Sequence, residues 1–182
     1  MPASRLTLTV VALYLSETPG AISVPVAELR LRPNYGIVGD THAGAERVNS
    51  KGQVVPNFRQ FTAVNPRELG AVAEDIGVPF IDPAWVKANI CFGWLSSEPF
   101  TQTLAPGTLL LQGAERPVLE IKGAVEPCLG AGQAIAAQFP QLAMEAEQFP
   151  KVAYGRRGVH GVVLEELTIR PGDTFTALLP EN

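Results

Sequence analysis

Cysteine is the residue type in this sequence best suited to nucleophilic or soft-metal chemistry, and the chain has two. Cys128 follows Glu126-Pro127, and the segment after it, AGQAIAAQF (131–139), places it in the first turn of a predicted helix. Unpaired N–H groups and the positive dipole end there favour a thiolate, the form that attacks sulfur and carbon electrophiles and binds soft metals. The alternative is a small buried hydrophobic residue, which is our prediction for Cys91 among its apolar neighbours.

A glycine-rich segment, GIVGDTHAG (36–44), contains two further candidates, Asp40 and His42. Glycines at this density allow tight turns and a close backbone approach to a ligand. The segment lacks the Lys-Ser/Thr ending of a phosphate-binding P-loop, which excludes an NTPase of that kind. Asp40 could orient a basic group and His42 could act as an acid or base. Equally, Asp40 could cap a turn and His42 could be a solvated loop residue.

A second glycine-rich segment, YGRRGVHG (154–161), places Arg156 and Arg157 side by side. Guanidinium groups match phosphate and carboxylate, so the pair is a candidate anion receptor; the alternative is a solvated basic turn. Arg59 and Asn89 are weaker polar candidates. A dyad of Cys128 with His42 or His160 stays open, although no spacing supports it. The sequence contains no Gly-x-Ser-x-Gly elbow and no cysteines and histidines at zinc-ligand spacing.

Charge and composition restrict the class of protein that this sequence can encode. The 182 residues carry a formal net charge of −4, which argues against nucleic-acid binding through phosphate contacts, and 46% are hydrophobic, enough for a full core. Two cysteines cannot form a disulfide framework. Residues 6–15 alternate as a strand does, and no apolar run reaches the roughly 20 residues of a membrane span. We expect a cytoplasmic protein that binds no membrane. The sequence does not specify its oligomeric state.

Three segments carry helix signals. They are residues 66–76, about 82–87 and about 127–148. The first is the best marked, because Asn65 is the predicted N-cap, Pro66 the first helical residue and Glu68 the residue that reaches back to the cap. Gly77 ends that helix. A break is predicted in the third segment at Pro140.

Most other segments predict short strands joined by turns. The strands are expected at residues 6–15, 22–31, 58–64, 108–112, 118–122, 161–167 and 174–179. Pro25 indicates a kink or an edge position because proline cannot donate to a ladder. Residues 34–57 predict a long loop. We therefore expect one domain over residues 1–182, mainly β with helical insertions (α+β) and built on a closed or nearly closed β-barrel.

Read in order, six segments resemble a MOSC domain, the family named after the C-terminal domain of molybdenum cofactor sulfurase. They are GIVGDTHAG (36–44), RQFTAVNPRELG (59–70), ANICFG (88–93), LAPGTLLLQG (104–113), EPC (126–128) and GRRGVHGVVLEELTIRPGD (155–173). No single segment is specific, whereas six in this order over about 140 residues are a strong signal. The resemblance covers nearly the whole chain and indicates a stand-alone member without a fused desulfurase domain.

The resemblance implies a MOSC-type β-barrel and a functional cysteine, which matches Cys128. In the family that cysteine is proposed to accept sulfur as a persulfide or to ligate the molybdenum of a bound pterin cofactor. Basic residues in glycine-rich loops suit the phosphate of molybdopterin. The residues expected at the molybdenum cofactor are Asp40, His42, Arg59, Asn89, Arg156 and Arg157. No lysine lies in a recognisable pyridoxal phosphate context, so no such site is expected.

Three functions are compatible with these residues. The first is a sulfur carrier that uses Cys128, with a cysteine desulfurase or another sulfur donor as partner. The second is a molybdenum-dependent oxidoreductase that reduces N-hydroxylated compounds. The third is a non-catalytic β-barrel that binds a partner or an anionic ligand through its loops, supported by the presence of only 2 histidines for acid–base work. The sequence does not specify the substrate, the sulfur acceptor or whether the chain is an enzyme.

Overall fold

The protein is described here by a computed structural model covering residues 5–113 and 116–181, which contain thirteen strands and four helices. The strands are β1 (Arg5–Leu15), β2 (Val24–Pro25), β3 (Leu29–Arg32), β4 (Gly36–Ile37), β5 (Glu46–Val48), β6 (Val54–Pro56), β7 (Phe61–Val64), β8 (Ile90–Trp94), β9 (Leu109–Gln112), β10 (Arg116–Ala124), β11 (Val159–Val163), β12 (Leu167–Ile169) and β13 (Thr174–Leu178). The helices are α1 (Pro66–Ile76), α2 (Phe100–Thr103), α3 (Leu129–Ala136) and α4 (Gln148–Val152).

Seven of these strands form a closed barrel in the order β13-β9-β10-β11-β7-β8-β1. Antiparallel pairing of β1 with β13 closes it, and β7 pairs with β8 in parallel. Strand β2 continues the sheet beyond β1, while β12-β3-β4 and β5-β6 form two small separate sheets. Closure removes unpaired strand edges from the barrel. The mainly β barrel predicted from the sequence is confirmed.

Strand β1 shows how the barrel interior is filled. Leu8 and Val10 are buried, whereas Thr7 is exposed and Thr9 is partly buried, as the two-residue period of a strand requires. A register shift between Val10 and Ala12 resets the alternation so that Leu13 is buried as well. The same long strand can therefore pair with β13 at one end and with β8 along its length.

A second apolar cluster packs α1, α3 and α4 against the outside of the barrel. Cys91 of β8 belongs to this cluster and is only 3% exposed. Burial, with a smaller contribution from the charge of Asp82, raises the pKa of the Cys91 thiol to about 12. The prediction that Cys91 is a buried packing residue is confirmed.

Helix α1 begins and ends where the sequence predicts. The Asn65 side chain accepts hydrogen bonds from the N–H groups of Arg67 and Glu68, and Gly77 adopts a left-handed conformation that ends the helix. The carboxylate of Glu68 does not reach back to the cap, however. It accepts hydrogen bonds from the backbone and hydroxyl of Thr101 instead, and so joins α1 to α2.

Other predicted elements are shorter than expected, and the helix predicted at residues 82–87 was wrong. That segment forms turns, and Lys87 has a φ of 54°, outside the helical range. Residues 22–31 and 161–167 each divide between two strands, and residues 34–57 contain β4, β5 and β6. Within the helical segment predicted at about 127–148, the structure has the short helix α3 and, at its end, the start of α4. Helix α2 was not predicted. None of the described helices is long and apolar enough to cross a bilayer.

We expect Gly161→Ala to destabilise the protein strongly. A Cβ atom at Gly161 would lie 2.0 Å from the Glu120 carbonyl oxygen of the paired strand, so the barrel wall would have to separate locally. Overpacking of this kind costs about 1–3 kcal/mol or more. Gly70→Ala is the control, because Gly70 lies in α1 with nothing near its Cβ position, and alanine should stabilise that helix by up to about 1 kcal/mol. Urea unfolding measures both, and equal effects would contradict the barrel register.

Candidate functional site

Cys128 lies at the point where the chain leaves the barrel and enters a helix. It follows β10 and is the N-cap residue of α3, with an extended backbone (φ −124°, ψ 160°). Its side chain makes no capping hydrogen bond, and the residue is exposed. N–H groups in the first turn of α3 are therefore left without the side-chain partner that serine or aspartate would provide at this position.

A cavity of about 360 Å³ opens beside Cys128 and continues into the protein. Its lining combines small or apolar side chains with Cys128, one histidine and three cationic residues, and it includes no carboxylate. The polar lining residues are His42, Arg59, Lys87, Cys128 and Arg157. In a chain with a net charge of −4, this concentration of positive charge gives the cavity a lining that suits an anionic ligand.

Arg157 is the most deeply buried polar residue of the cavity lining, with 2% of its surface exposed. One terminal nitrogen donates to the Val86 carbonyl oxygen, whereas Nε and Nη1 are buried without a partner. Gly158 fixes the backbone next to it: its φ is 94°, and its N–H donates to the Thr101 hydroxyl at 2.9 Å. A Cβ atom at Gly158 would lie 2.1 Å from the Ala63 carbonyl oxygen, so only glycine fits there.

Arg59 is the second guanidinium at the cavity. It is half-buried, precedes β7, and has a buried Nε without a partner. Its backbone N–H donates to the Asn57 side chain at 3.0 Å, which fixes the turn that carries it. Within the described part of the chain, neither Arg59 nor Arg157 forms an ion pair.

The pKa values of Arg157 and Arg59 both depend on the charge of Cys128, and that of Arg157 also depends on the charge of Arg59. Burial, with a smaller contribution from the positive charge of Arg59, lowers the pKa of Arg157 to about 10, and a negative charge on Cys128 opposes both effects. Burial also lowers the pKa of Arg59, and Cys128 again provides the largest opposing contribution. A negative charge on Cys128 would therefore partly offset the positive charges of both arginines, as Asp40 does for Arg59.

Asp40 and Asn89 lie behind the cavity rather than in its lining, and both are buried. Asp40 Oδ2 accepts hydrogen bonds from Ser16 N at 3.0 Å and from Asn89 Nδ2 at 2.7 Å. Asn89 Oδ1 in turn accepts from the backbone N–H of Thr62 at 2.9 Å. This network connects the end of β1, the glycine-rich 36–44 loop, β7 and the start of β8.

His42 connects that network to the cavity. Asp40 Oδ1 accepts from the His42 backbone N–H at 2.9 Å and lies 3.1 Å from its ring Nδ1. With Nδ1 bonded to the carboxylate, the ring presents Nε2 as its other polar atom. The structure thus brings His42 to the same cavity as Cys128, which the sequence left open.

Two residues singled out in the sequence lie elsewhere. The Arg156 side chain is not in the cavity lining. It forms an ion pair with Asp75 at 2.9 Å and donates to the Val152 carbonyl oxygen. His160 lies in an adjoining cavity of about 350 Å³, which also contains Arg59. Its Nδ1 lies 2.9 Å from the Phe58 carbonyl oxygen; burial lowers the His160 pKa, and the charges of Arg59 and Arg47 add to that effect.

Sequence reasoning missed Lys87, the third cation in the cavity lining. Its left-handed backbone and the hydrogen bond from the Thr62 hydroxyl to its carbonyl oxygen place it beside β7. A lysine before a strand carries no signal of such a role. In residues 5–113 and 116–181, no group of three His, Cys, Asp or Glu side chains is arranged to hold a metal ion.

The fold and the site define a closed β-barrel protein with one accessible thiol in a cationic cavity. A family model described as "MOSC domain" matches residues 38–176, and the chain belongs to the MOSC domain family. It is also 30% identical, over 180 aligned positions covering 94% of this chain and 88% of the relative, to YuaD of Bacillus subtilis (strain 168), whose name refers to metal-sulfur cluster biosynthesis. The resemblance found in the sequence is confirmed.

Solved structures show the same architecture. The crystal structure of YuaD from Bacillus subtilis matches with a TM-score of 0.88 and 25% identity, covering 98% of this chain and all of that one. The crystal structure of YiiM from Geobacillus stearothermophilus matches with a TM-score of 0.60 and 17% identity, covering 96% of this chain and 75% of that one. The second likeness concerns the fold alone.

We expect Asp40→Asn to lower the free energy of unfolding by about 1–3 kcal/mol at pH 7, because it disturbs a buried hydrogen-bonded carboxylate. Burial alone would raise the Asp40 pKa, but hydrogen bonds from His42 and Ser16 outweigh it and hold the pKa below its ordinary value. A depressed carboxyl pKa stabilises the native state above the unfolded pKa of about 3.9, and that contribution is lost as pH falls through the native pKa.

The difference between wild type and Asp40→Asn should therefore shrink below about pH 4. Urea unfolding between pH 7 and pH 3 measures it. Asp75→Asn, at a half-exposed surface pair, is the control and should change stability by less than about 1 kcal/mol. A wild-type advantage that is constant down to pH 3 would contradict a role for the ionised carboxylate.

Proposed function

We propose that this chain is a sulfur carrier in which Cys128 accepts a sulfane sulfur as a persulfide and passes it to an acceptor. The observation that carries the proposal is the position of Cys128: an exposed thiol at the start of a helix, beside a cavity with three cationic residues in its lining and no carboxylate. A thiolate and a persulfide are both anionic, so the same cationic lining can accommodate the sulfur before and after loading.

The chain's own residues suit the two steps of sulfur transfer. In the first, the Cys128 thiolate attacks a sulfane sulfur and forms an S–S bond while the donor leaves with the electron pair. In the second, an acceptor thiolate attacks the outer sulfur and the Cys128 thiolate is regenerated. The Asp40–His42 pair lies at the cavity, where the ring can exchange a proton with an incoming or departing thiol.

The relative YuaD supports this class of chemistry. Its name refers to metal-sulfur cluster biosynthesis, and metal–sulfur centres require a supply of sulfur. The match covers 94% of this chain, so it includes both glycine-rich loops and Cys128. A sulfur donor, such as a cysteine desulfurase, is then the partner to be expected.

The residues present also fit a molybdenum cofactor. Cys128 is an accessible soft ligand, and the buried unpartnered nitrogens of Arg59 and Arg157 mark a receptor for a phosphate group. Cys128 would ligate the metal and the two arginines would bind the phosphate, while adjoining cavities of about 350 and 330 Å³ share Arg59 and extend the site. When bound, such a cofactor would supply oxygen-atom or sulfur chemistry at molybdenum.

Sulfur loading tests the carrier. After incubation with a cysteine desulfurase and cysteine, or with polysulfide, intact-mass spectrometry should show the wild-type chain heavier by one sulfur atom. Cys128→Ser should gain none. Cys91→Ala is the matched control and should load like wild type, because the Cys91 thiol is buried and un-ionised at neutral pH. Equal loading of Cys128→Ser, or no loading of wild type by any donor, would refute the carrier.

Cofactor binding makes a separate prediction. Protein purified from a host that synthesises molybdenum cofactor should contain molybdenum and a releasable pterin, and Cys128→Ser should lose most of the metal. Metal analysis and pterin fluorescence measure the two components. Background molybdenum in wild type would remove the cofactor from the proposal and leave the persulfide carrier standing.

A further inference from the structure

Building on the proposed carrier function, we infer that the sulfur donor includes a small thiosulfate-type anion, in which the sulfane sulfur is attached to a sulfonate group bound by Arg59 and Arg157. The carrier role needs only an accessible thiol. When no cofactor phosphate occupies them, the cationic residues next to that thiol need a separate explanation, and the charge and size of the donor provide one.

The first step concerns the charge. Burying a guanidinium without a counter-ion is unfavourable, and two of them line one cavity without an ion pair in the described residues. A Cys128 thiolate offsets one positive charge at most. The remaining charge of Arg59 and Arg157, together with Lys87, calls for a ligand with one or two negative charges.

The second step concerns size and depth. Arg157 is 2% exposed and Cys128 is exposed, so the cavity of about 360 Å³ connects a surface thiol to a buried cation. Only a small molecule can place its anionic group against a residue this deeply buried. The persulfide cysteine of a protein donor could reach Cys128 at the surface, but it would leave Arg157 without a partner.

The third step concerns the reaction. The Cys128 thiolate attacks the outer sulfur of thiosulfate, the sulfur–sulfur bond of thiosulfate breaks, and its electron pair leaves with sulfite. The products are the Cys128 persulfide anion and sulfite, so atoms and charge balance without an oxidant or a proton. Negative charge moves onto the departing sulfite, where fixed guanidiniums stabilise it most.

The test uses the full-length chain, reduced and desalted, with thiosulfate alone. Wild type should release sulfite and gain one sulfur atom in the intact mass, and Cys128→Ser should do neither. Arg59→Gln and Lys87→Gln should each lower the second-order rate with thiosulfate by about tenfold, since each removes a charge-assisted contact. Arg157→Gln should lower it further; because that residue is buried, the variant is first checked for native circular dichroism and melting.

Alkylation of Cys128 by neutral iodoacetamide separates anion binding from thiol reactivity. The Arg59→Gln and Lys87→Gln variants should lose at least about tenfold more rate with thiosulfate than with iodoacetamide. Arg30→Gln is the matched control: Arg30 pairs with Glu166 at the surface, 67% exposed, and its loss should change neither rate.

The outcomes distinguish the two proposals. Loading by polysulfide or a desulfurase without any loading by thiosulfate would overturn the donor inference and leave the carrier intact. Equal losses with thiosulfate and iodoacetamide would overturn anion recognition by the arginines. Failure of every donor to load Cys128 would overturn both.

Discussion

The carboxylate of Asp40 is the interaction on which the geometry of the site depends. It accepts hydrogen bonds from Ser16, His42 and Asn89, which come from three different parts of the chain. Through Asn89 the network continues to β7, next to the segment that carries Arg59. A single buried anion, fully hydrogen-bonded, thus fixes the glycine-rich 36–44 loop against the mouth of the barrel and holds His42 at the cavity.

The charged residues near the cavity differ in whether they form ion pairs. The Asp40 carboxylate is hydrogen-bonded by Ser16, Asn89 and His42, and within the described residues it forms no ion pair with Arg59 or Arg157. Arg156, one residue before Arg157, is paired with Asp75 at the surface. Of two neighbouring arginines, one stabilises helix packing and the other keeps unused hydrogen-bond donors beside a thiol. Gly158, with a φ of 94° and no room for a Cβ atom, follows Arg157 directly and keeps this part of the loop against β7.

The sequence allowed the barrel class, helix α1 and the position of Cys128 at a helix start to be predicted, because each depends on local patterns: alternation, capping residues and a cysteine before a helix. The sequence could not show that Arg157 lines the cavity while Arg156 does not. Both arginines lie between the same two glycines, and only their contacts in the folded chain differ. Lys87 was missed for a related reason, as its place in the lining depends on an unusual backbone angle after Asp82-Pro83. Asn89 was selected by its sequence context, and the structure gives it a network role behind the cavity.

The identity of the capping residue connects the fold to the chemistry. Serine or aspartate at position 128 would cap α3 with its own oxygen and satisfy the N–H groups of the first turn. Cysteine makes no such bond, so the helix start keeps its partial positive charge and directs it, with Arg59 and Arg157, toward the sulfur and the space beyond it. Some helix stability is given up at this end, and α3 is held instead by packing: Gly132 lies so close to the Ala146 carbonyl oxygen that a Cβ atom there would be 2.0 Å away. Packing at Gly132 therefore fixes this short helix, while the N–H groups of its first turn have no side-chain cap.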